Sequence, residues 1–273
     1  MSSEPFVITS LTNTRVKAIR ALEMRKERKT TGLFVAEGAS ILLSAAEARM
    51  WPETLVLLAG SVTTGRVSDY LRDALKQGTE ILEVSQAVLE KLAAKDNPQT
   101  MLGVFRQRLV HPPDPSGTAR AQTWLALEEV RDPGNLGTII RTADATGTAG
   151  ILLVGTTCDP WSRECIRATM GSIFAVPLAR IEHVEFHKLV RAWPSQTIGT
   201  HLSATQDFRS TKIRAPALIV MGGEGPGLTD EAARACKTLV KIPMTGKLDS
   251  LNLAVAAALM LYQVQSQNLT LSG

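Results

Sequence analysis

The sequence predicts an α/β protein in two parts, the C-terminal one built on a mostly parallel sheet. Three observations lead there. The chain has 273 residues, more than the roughly 150 that one domain usually holds. At Val110–Gln122, "VHPPDPSGTARAQ", three prolines, a glycine and small polar residues interrupt the apolar periodicity on either side. Beyond that break, apolar runs of buried type alternate with amphipathic stretches, as in sheets covered by helices on both faces. We therefore expect a domain at 1–109, a linker at 110–122 and a second domain at 123–273.

In the first part, Arg15–Lys29 reads as a helix, Phe34–Val35 as a short strand and Ser40–Ala48 as a second helix. Leu55–Leu58, Ile81–Val84 and Met101–Phe105 have the apolar character of strands, with helical Asp69–Lys76 and Gln86–Ala93 between them. In the second part the expected strands are Trp124–Leu127, Ile151–Val154, Thr197–Gly199, Leu218–Met221 and Leu239–Ile242. Parallel α/β sheets collect ligands beyond their C-terminal strand ends, so the loops after these five strands are where function is sought.

Composition narrows the function classes. Hydrophobic residues make 44% and charged residues 21% of the chain, which excludes disordered and fibrous architectures. At 4% aromatic, stacking platforms for single-stranded bases are scarce. The net charge is +4, permissive of a polyanionic partner. Arg15, Lys17, Arg20, Arg25, Lys26, Arg28 and Lys29 are opposed locally only by Glu23 and Glu27; a solvated helix face and an RNA-backbone contact both fit. Cys158, Cys165 and Cys236 form no CxxC pair, so neither a disulfide framework nor a thiolate zinc site is expected. No signal-peptide pattern and no run of about 18 apolar residues is present, and a cytoplasmic protein without a membrane span is expected. His183 and His187 in "HVEFH" lack a third ligand nearby in sequence, and no metal is expected; they read as a surface pair.

Three segments carry chemistry. In "EEVRDPGNLGTIIRTADATG", Leu136, Ile139, Ile140 and Ala143 form a core-facing helical stripe, Asn135 is placed to cap the helix, and Arg141 projects away from the stripe. Alone, Arg141 is equally a solvated surface arginine. In "LIVMGGEGPGLTDE", Gly222, Gly223, Gly225 and Gly227 imply tight turning or close backbone approach to a ligand. The Walker Lys-Ser/Thr pair and the GxGxxG spacing are absent. Glu224, Asp230 and Glu231 would repel a pyrophosphate, whereas a neutral adenosine, or one bearing a cationic centre, would be accepted. A plain ligand-free turn remains the alternative. In "VKIPMTGKLDSLNLAVAAALMLYQV", Ser250 fits an N-cap, with Asn252 in the first turn of a nearly all-apolar helix from about Leu251. A merely capped core helix is the alternative there.

Together and in this order, "NLGTIIRTADATG", "MGGEGPGL" and "IPMTGKLDSLNLAVA" closely resemble the three motifs of the SpoU-TrmH family of RNA ribose 2′-O-methyltransferases in the SPOUT superfamily, over Leu125–Val264. The resemblance implies a parallel α/β sheet whose C-terminal segment threads a trefoil knot, an exception to the rule against knots. Upstream, "FVAEGASILLSAAEA" is similar to a small α/β RNA-binding domain related to kink-turn-binding ribosomal proteins. Carried over residue by residue, the resemblance implies catalytic roles for Asn135, Arg141, Glu224, Ser250 and Asn252. It implies S-adenosylmethionine binding, largely through backbone, at Gly222, Gly223, Ile242, Met244 and Leu251, with Thr200 and Leu202 as a further wall. Arg15, Lys17, Arg25, Lys26, Arg28 and Lys29 would then contact RNA, ribosomal in preference to transfer RNA, and the final helix would form a homodimer. The chain departs from many members in having Leu253 and Ala254 after the motif-three asparagine. A guanidinium is a poor base, so Arg141 is expected to clamp a phosphate and stabilise alkoxide charge. Other function classes remain to be tested: a non-catalytic RNA-binding or ribosome-assembly protein on the same fold, and a nicotinamide oxidoreductase, which the acidic glycine loop disfavours.

Overall fold

The computed structural model describes residues 7–61, 63–93, 100–117, 122–213, 215–247, 250–266 and 269. Residues 118–121 of the expected linker, Met1–Pro5, and Leu248 and Asp249 of the third motif lie outside them. The elements begin with α1 (Thr14–Ala21), α2 (Arg25–Thr31), β1 (Leu33–Glu37), α3 (Ala39–Glu47), β2 (Thr54–Leu58), α4 (Arg66–Lys76), β3 (Glu80–Val84), α5 (Gln86–Ala93) and β4 (Met101–Arg106). Next come β5 (Thr123–Glu128), α6 (Pro133–Ala145), β6 (Gly150–Val154), α7 (Arg163–Thr169), β7 (Leu178–Ile181), α8 (His183–Ala192), β8 (Gln196–Thr200) and β9 (Gln206–Asp207). The chain ends with β10 (Ala217–Met221), α9 (Asp230–Ala235), β11 (Thr238–Lys241) and α10 (Leu253–Gln265). No helix among the described residues is long and apolar enough to cross a membrane.

Two compact units result: Met1–Gln107 with Trp161–Ala175, and Arg108–Pro160 with Val176–Gly273. The contiguous 123–273 assignment thus differs from the folded grouping at Trp161–Ala175. That segment joins the first unit because Trp161 and Phe174 pack in an aromatic cluster, 4.7 Å from the rings of Phe34 and Phe105 respectively.

The first unit holds a four-stranded sheet of order β1-β4-β2-β3, with only β2 and β3 parallel. Val16 and Ile19 of α1 and Val88, Leu89 and Leu92 of α5 occur at helical spacing and close the core over Val56 and Val104. The basic segment is not one helix. It breaks between α1 and α2, where the 5%-exposed Arg28 donates from Nη1 to the carbonyls of Leu22, at 2.8 Å, and Glu23, at 2.7 Å. Carbonyls just past the end of a helix need such partners. Arg28 is therefore a structural residue rather than an RNA contact, which corrects its sequence-based assignment. Arg15 is ion-paired with Glu80, while Lys17, Arg25, Lys26 and Lys29 are exposed.

The second unit holds a seven-stranded sheet of order β7-β6-β5-β10-β8-β11-β9, and every pairing in it is parallel. Its middle strands β5, β6 and β10 are buried along their whole length. On one face, Trp124, Ala126, Leu152, Leu218 and Val220 meet Phe186, Leu189 and Val190 of α8 and Ala232 of α9. Leu125, Leu127, Ile151, Leu153 and Ile219 alternate with them toward the other face, and α6 and α10 pack on one another. The edge strand β7 and the two-residue β9 were not expected from sequence. From β5 the chain winds outward through β6 and β7, crosses to β8, and fills the gap between β5 and β8 with β10. That reversal of winding opens a crevice at the C-terminal strand ends.

Candidate active site

Strand β10 runs into the glycine loop, which doubles back on itself: Gly223 and Gly227 form an antiparallel bridge. A Cβ on Gly222 would lie 1.9 Å from the carbonyl carbon of Gly227, so no other residue fits there. Gly225 and Gly227, at φ +93° and +73°, supply the left-handed turns. Thr229 then N-caps α9, its hydroxyl accepting from the Ala232 N–H.

Between this loop, the ends of β8 and β11 and the entry to α10 lies a cleft of about 530 Å³. All seven residues expected to form a cofactor pocket line it: Thr200, Leu202, Gly222, Gly223, Ile242, Met244 and Leu251. Glu224, Ser250 and Asn252 line it as well. Sequence reasoning missed Met221, Leu228, Val240 and Ala256, whose side chains extend the apolar wall. Apolar side chains and glycine backbone make most of the wall, Glu224 adds a carboxylate, Lys241 and His201 add basic groups, and Thr200, Ser250 and Asn252 add neutral polar ones. The apolar and glycine part of that surface suits a flat heteroaromatic, with polar groups at its edge to orient it.

Asn135 joins the cleft through a hydrogen-bond relay. Asn252 Nδ2 donates to Asn135 Oδ1 at 2.9 Å, and Asn135 Nδ2 donates to Glu224 Oε1 at 3.0 Å. The backbone N–H of Arg131 donates to the other oxygen of Glu224 at 3.1 Å. The relay has one possible polarity. Asn252 Oδ1 is occupied as the N-cap of α10, accepting from Ala254 and Val255, and a carboxylate at the far end can only accept. Burial opposes ionisation of Glu224, but the bonds from Asn135 and from backbone N–H groups outweigh it, holding its pKa below the ordinary 4.5.

Two caps differ from expectation. Helix α6 is capped by Asp132, whose side chain accepts from the Asn135 N–H at 2.6 Å, with Pro133 at the first position. Asn135 therefore sits within the first turn, its side chain free for the relay. Helix α10 starts at Leu253 and is capped by Asn252, not Ser250, so Ser250 lies in the approach to the helix with its side chain exposed. Arg141 is six residues beyond Asn135, about 9 Å along α6. It is exposed, lines no part of the cleft and has no hydrogen-bond or ion-pair partner among the described residues.

The cysteines are free, as expected. Burial, reinforced by Glu224 and Asp132, pushes the Cys158 thiol up to about 12, so it supplies no thiolate near neutrality. His183 and His187 are not surface decoration: both are half-buried, and Glu128, from the end of β5, joins them so that one donor atom from each lies within 4.8 Å of the others. Glu128, Glu129 and Thr229 were missed because nothing local in the sequence marks them as partners of α8 and of the glycine loop.

Residues 122–262 match the SpoU rRNA Methylase family, and residues 13–103 match the MRM3-like substrate binding domain. Among similar proteins is an uncharacterized tRNA/rRNA methyltransferase of Synechocystis sp., 31% identical over 98% of this chain and 96% of its own length. The 23S rRNA (guanosine(2553)-2′-O)-methyltransferase RlmP of Bacillus subtilis is 28% identical over 94% of this chain and 98% of its own. Among solved structures, an AdoMet-bound rRNA methyltransferase from Sinorhizobium meliloti is 40% identical, with a TM-score of 0.88 over 98% of this chain and 100% of that one.

Proposed function

This chain belongs to the SpoU rRNA methylase family and is an RNA methyltransferase; we propose that it methylates the ribose 2′-oxygen of one nucleotide in structured RNA, ribosomal rather than transfer RNA, with S-adenosylmethionine as methyl donor. The observation that carries this reading is the convergence on one largely apolar, glycine-lined cleft of ten expected site residues, eight from the second and third motifs and two from the end of β8, with Asn135 of the first motif tied to it by hydrogen bonds. The 2′-oxygen is supported by the activity in the name of the Bacillus relative, and the donor by the AdoMet-bound Sinorhizobium structure.

The cleft fits such a donor on its own chemistry. Gly222, Ile242 and Leu251 offer backbone groups to an adenosine, Leu202 and Met244 offer apolar surface, and Glu224 offers negative charge near a cationic centre. When bound, S-adenosylmethionine supplies an electrophilic methyl group. The residues of the chain hold and orient. The relay Asn252–Asn135–Glu224 fixes three side chains in one polarity, so the polar rim of the cleft is set before substrate arrives. Ser250 offers a hydroxyl at that rim. Arg141, exposed and without a partner among the described residues, is free to clamp an RNA phosphate bidentately and to stabilise charge developing on the 2′-oxygen.

Lys17, Arg25, Lys26 and Lys29 on the first unit are proposed backbone contacts for RNA. A homodimer is favoured by the apolar stripe Val255, Leu259 and Tyr262, which α10 leaves 39% or more exposed opposite its packing on α6. A trefoil-knotted path is favoured by the late insertion of β10 between β5 and β8. Unpaired cysteines favour a reducing compartment, the cytoplasm.

Methyl-labelled S-adenosylmethionine is incubated with the protein and total RNA lacking this modification, and the product is mapped by resistance of 2′-O-methylated linkages to alkaline cleavage. One resistant linkage in ribosomal RNA is expected. Label on a base, or none, overturns the reading, the latter in favour of a non-catalytic RNA-binding protein.

A further inference from the structure

We propose that His183, which lies outside the cleft, positions the glycine loop by bracing Glu128 and Glu129; the inference rests on reading that cleft as the S-adenosylmethionine site. His183 opens α8. Its Nδ1 lies 3.2 Å from Glu128 Oε1 and its Nε2 3.1 Å from Glu129 Oε1, so one imidazole spans two consecutive carboxylates at the end of β5. Each of these residues supports one end of the loop. At the exit, Glu128, 1% exposed, accepts from the N–H of Thr229 at 2.9 Å and from its hydroxyl at 2.8 Å. At the entrance, Gly223 rests on the main chain of both: a Cβ there would lie 2.7 Å from the carbonyl oxygen of Glu129 and 3.1 Å from that of Glu128.

The brace is built rather than incidental. Glu129 sits at φ +56°, a left-handed conformation that a non-glycine residue keeps only when its surroundings hold it. Its carboxylate is held by His183 and, at 3.4 Å, by the Thr156 N–H. The chain also leaves room for the ring, because a Cβ on Gly155 would lie 2.2 Å from His183 Nε2. Two neighbouring carboxylates repel one another, and a ring that carries both N–H groups can donate to each of them at once. Each nitrogen of His183 lies against a carboxylate oxygen, a pairing that uses both N–H groups of the ring, and both oxygens of Glu128 already accept from Thr229. That favours a brace over a metal centre made with His187, whose Nε2 is buried without a partner among the described residues.

The test uses the full-length protein. Calorimetric titration with S-adenosylmethionine should give His183→Ala an affinity about tenfold below the parent, the effect of one charge-assisted hydrogen bond. In methyl transfer the KM for the donor should rise by about the same factor while kcat at saturation stays within about twofold, the signature of lost uniform binding. His183→Gln, which keeps one amide donor, should recover part of the affinity and serves if the alanine variant fails to fold. Hydrogen exchange of residues 222–229 should quicken in both variants, a readout that needs no ligand. Parental affinity with parental exchange overturns the brace. If the parent gives no heat with the donor, the cofactor reading fails, and exchange alone decides the brace. Stoichiometric zinc in the purified protein, lost in His187→Ala together with donor affinity, would overturn it in favour of a metal centre.

Discussion

Asn252 performs two tasks with one amide, and substitution separates them. Its Oδ1 caps α10, accepting from the N–H groups of Ala254 and Val255 at 2.9 and 3.3 Å, while its Nδ2 donates to Asn135. Asn252→Ala removes both functions. Losing the cap costs about 1 kcal/mol and losing the side-chain bond roughly another 1 kcal/mol. The midpoint of thermal unfolding should then fall by about 4–8 °C for a unit of this size. Asn252→Asp keeps an oxygen over the helix N-terminus and adds a favourable charge there, worth about 0.5 kcal/mol. It cannot donate, however, and it places the Asn135 amide between two carboxylates. The aspartate variant should therefore unfold within about 1 kcal/mol of the parent while methyl transfer falls by about tenfold or more. Urea unfolding followed by tryptophan fluorescence measures the first quantity and labelled-methyl transfer the second. If the aspartate and alanine variants are destabilised equally, the division between cap and relay is wrong. If the aspartate variant keeps parental activity, the relay has no part in the chemistry.

Arg141→Lys keeps charge but loses bidentate geometry, so methyl transfer should drop by about tenfold or more with donor affinity unchanged; a parental rate would refute the clamp. Arg28→Ala should cost about 2 kcal/mol of stability because it strips two carbonyls of a charged donor. Replacing Lys17, Lys26 and Lys29 with Gln should leave the unfolding midpoint unchanged and flatten the salt dependence of RNA affinity by about 0.7–0.9 per lost contact; an unchanged slope would remove these residues from the interface. Glu224 has its folded pKa below the ordinary 4.5, so its stabilising contribution is fully present above that value and is lost as pH falls through the depressed one. The stability of the parent should fall more steeply than that of Glu224→Gln below about pH 4.5, and parallel curves would contradict the relay.

The strands of the methyltransferase unit were legible where burial on both faces leaves an uninterrupted apolar run, as at Leu218–Met221. They were not legible at its edges: half-exposed β7, "LARI", has no run to read. Helix starts were displaced by two or three residues. Asp132–Pro133 is itself a cap signal, but Asn135 and Ser250 competed as capping residues, and which of several polar side chains turns back onto the backbone depends on tertiary demand. The cleft lining was readable because its residues cluster in three short segments. The relay was not, since its partners lie 117 and 89 positions apart and meet only once the sheet is assembled. The same holds for His183 and Glu128, and Arg28 looked like its basic neighbours until the turn it fastens was in view.

The place of β10 bears on how the chain is made. Strands β5 to β8 are all synthesised before the segment that belongs between two of them, so a nascent chain ending short of Ala217 presents the facing flanks of β5 and β8 as naked, apolar edges. Such edges recruit strands from other molecules. Closure of this sheet is accordingly a late, long-range event, and truncation or stalling upstream of that keystone should leave an aggregation-prone fragment rather than a smaller working enzyme.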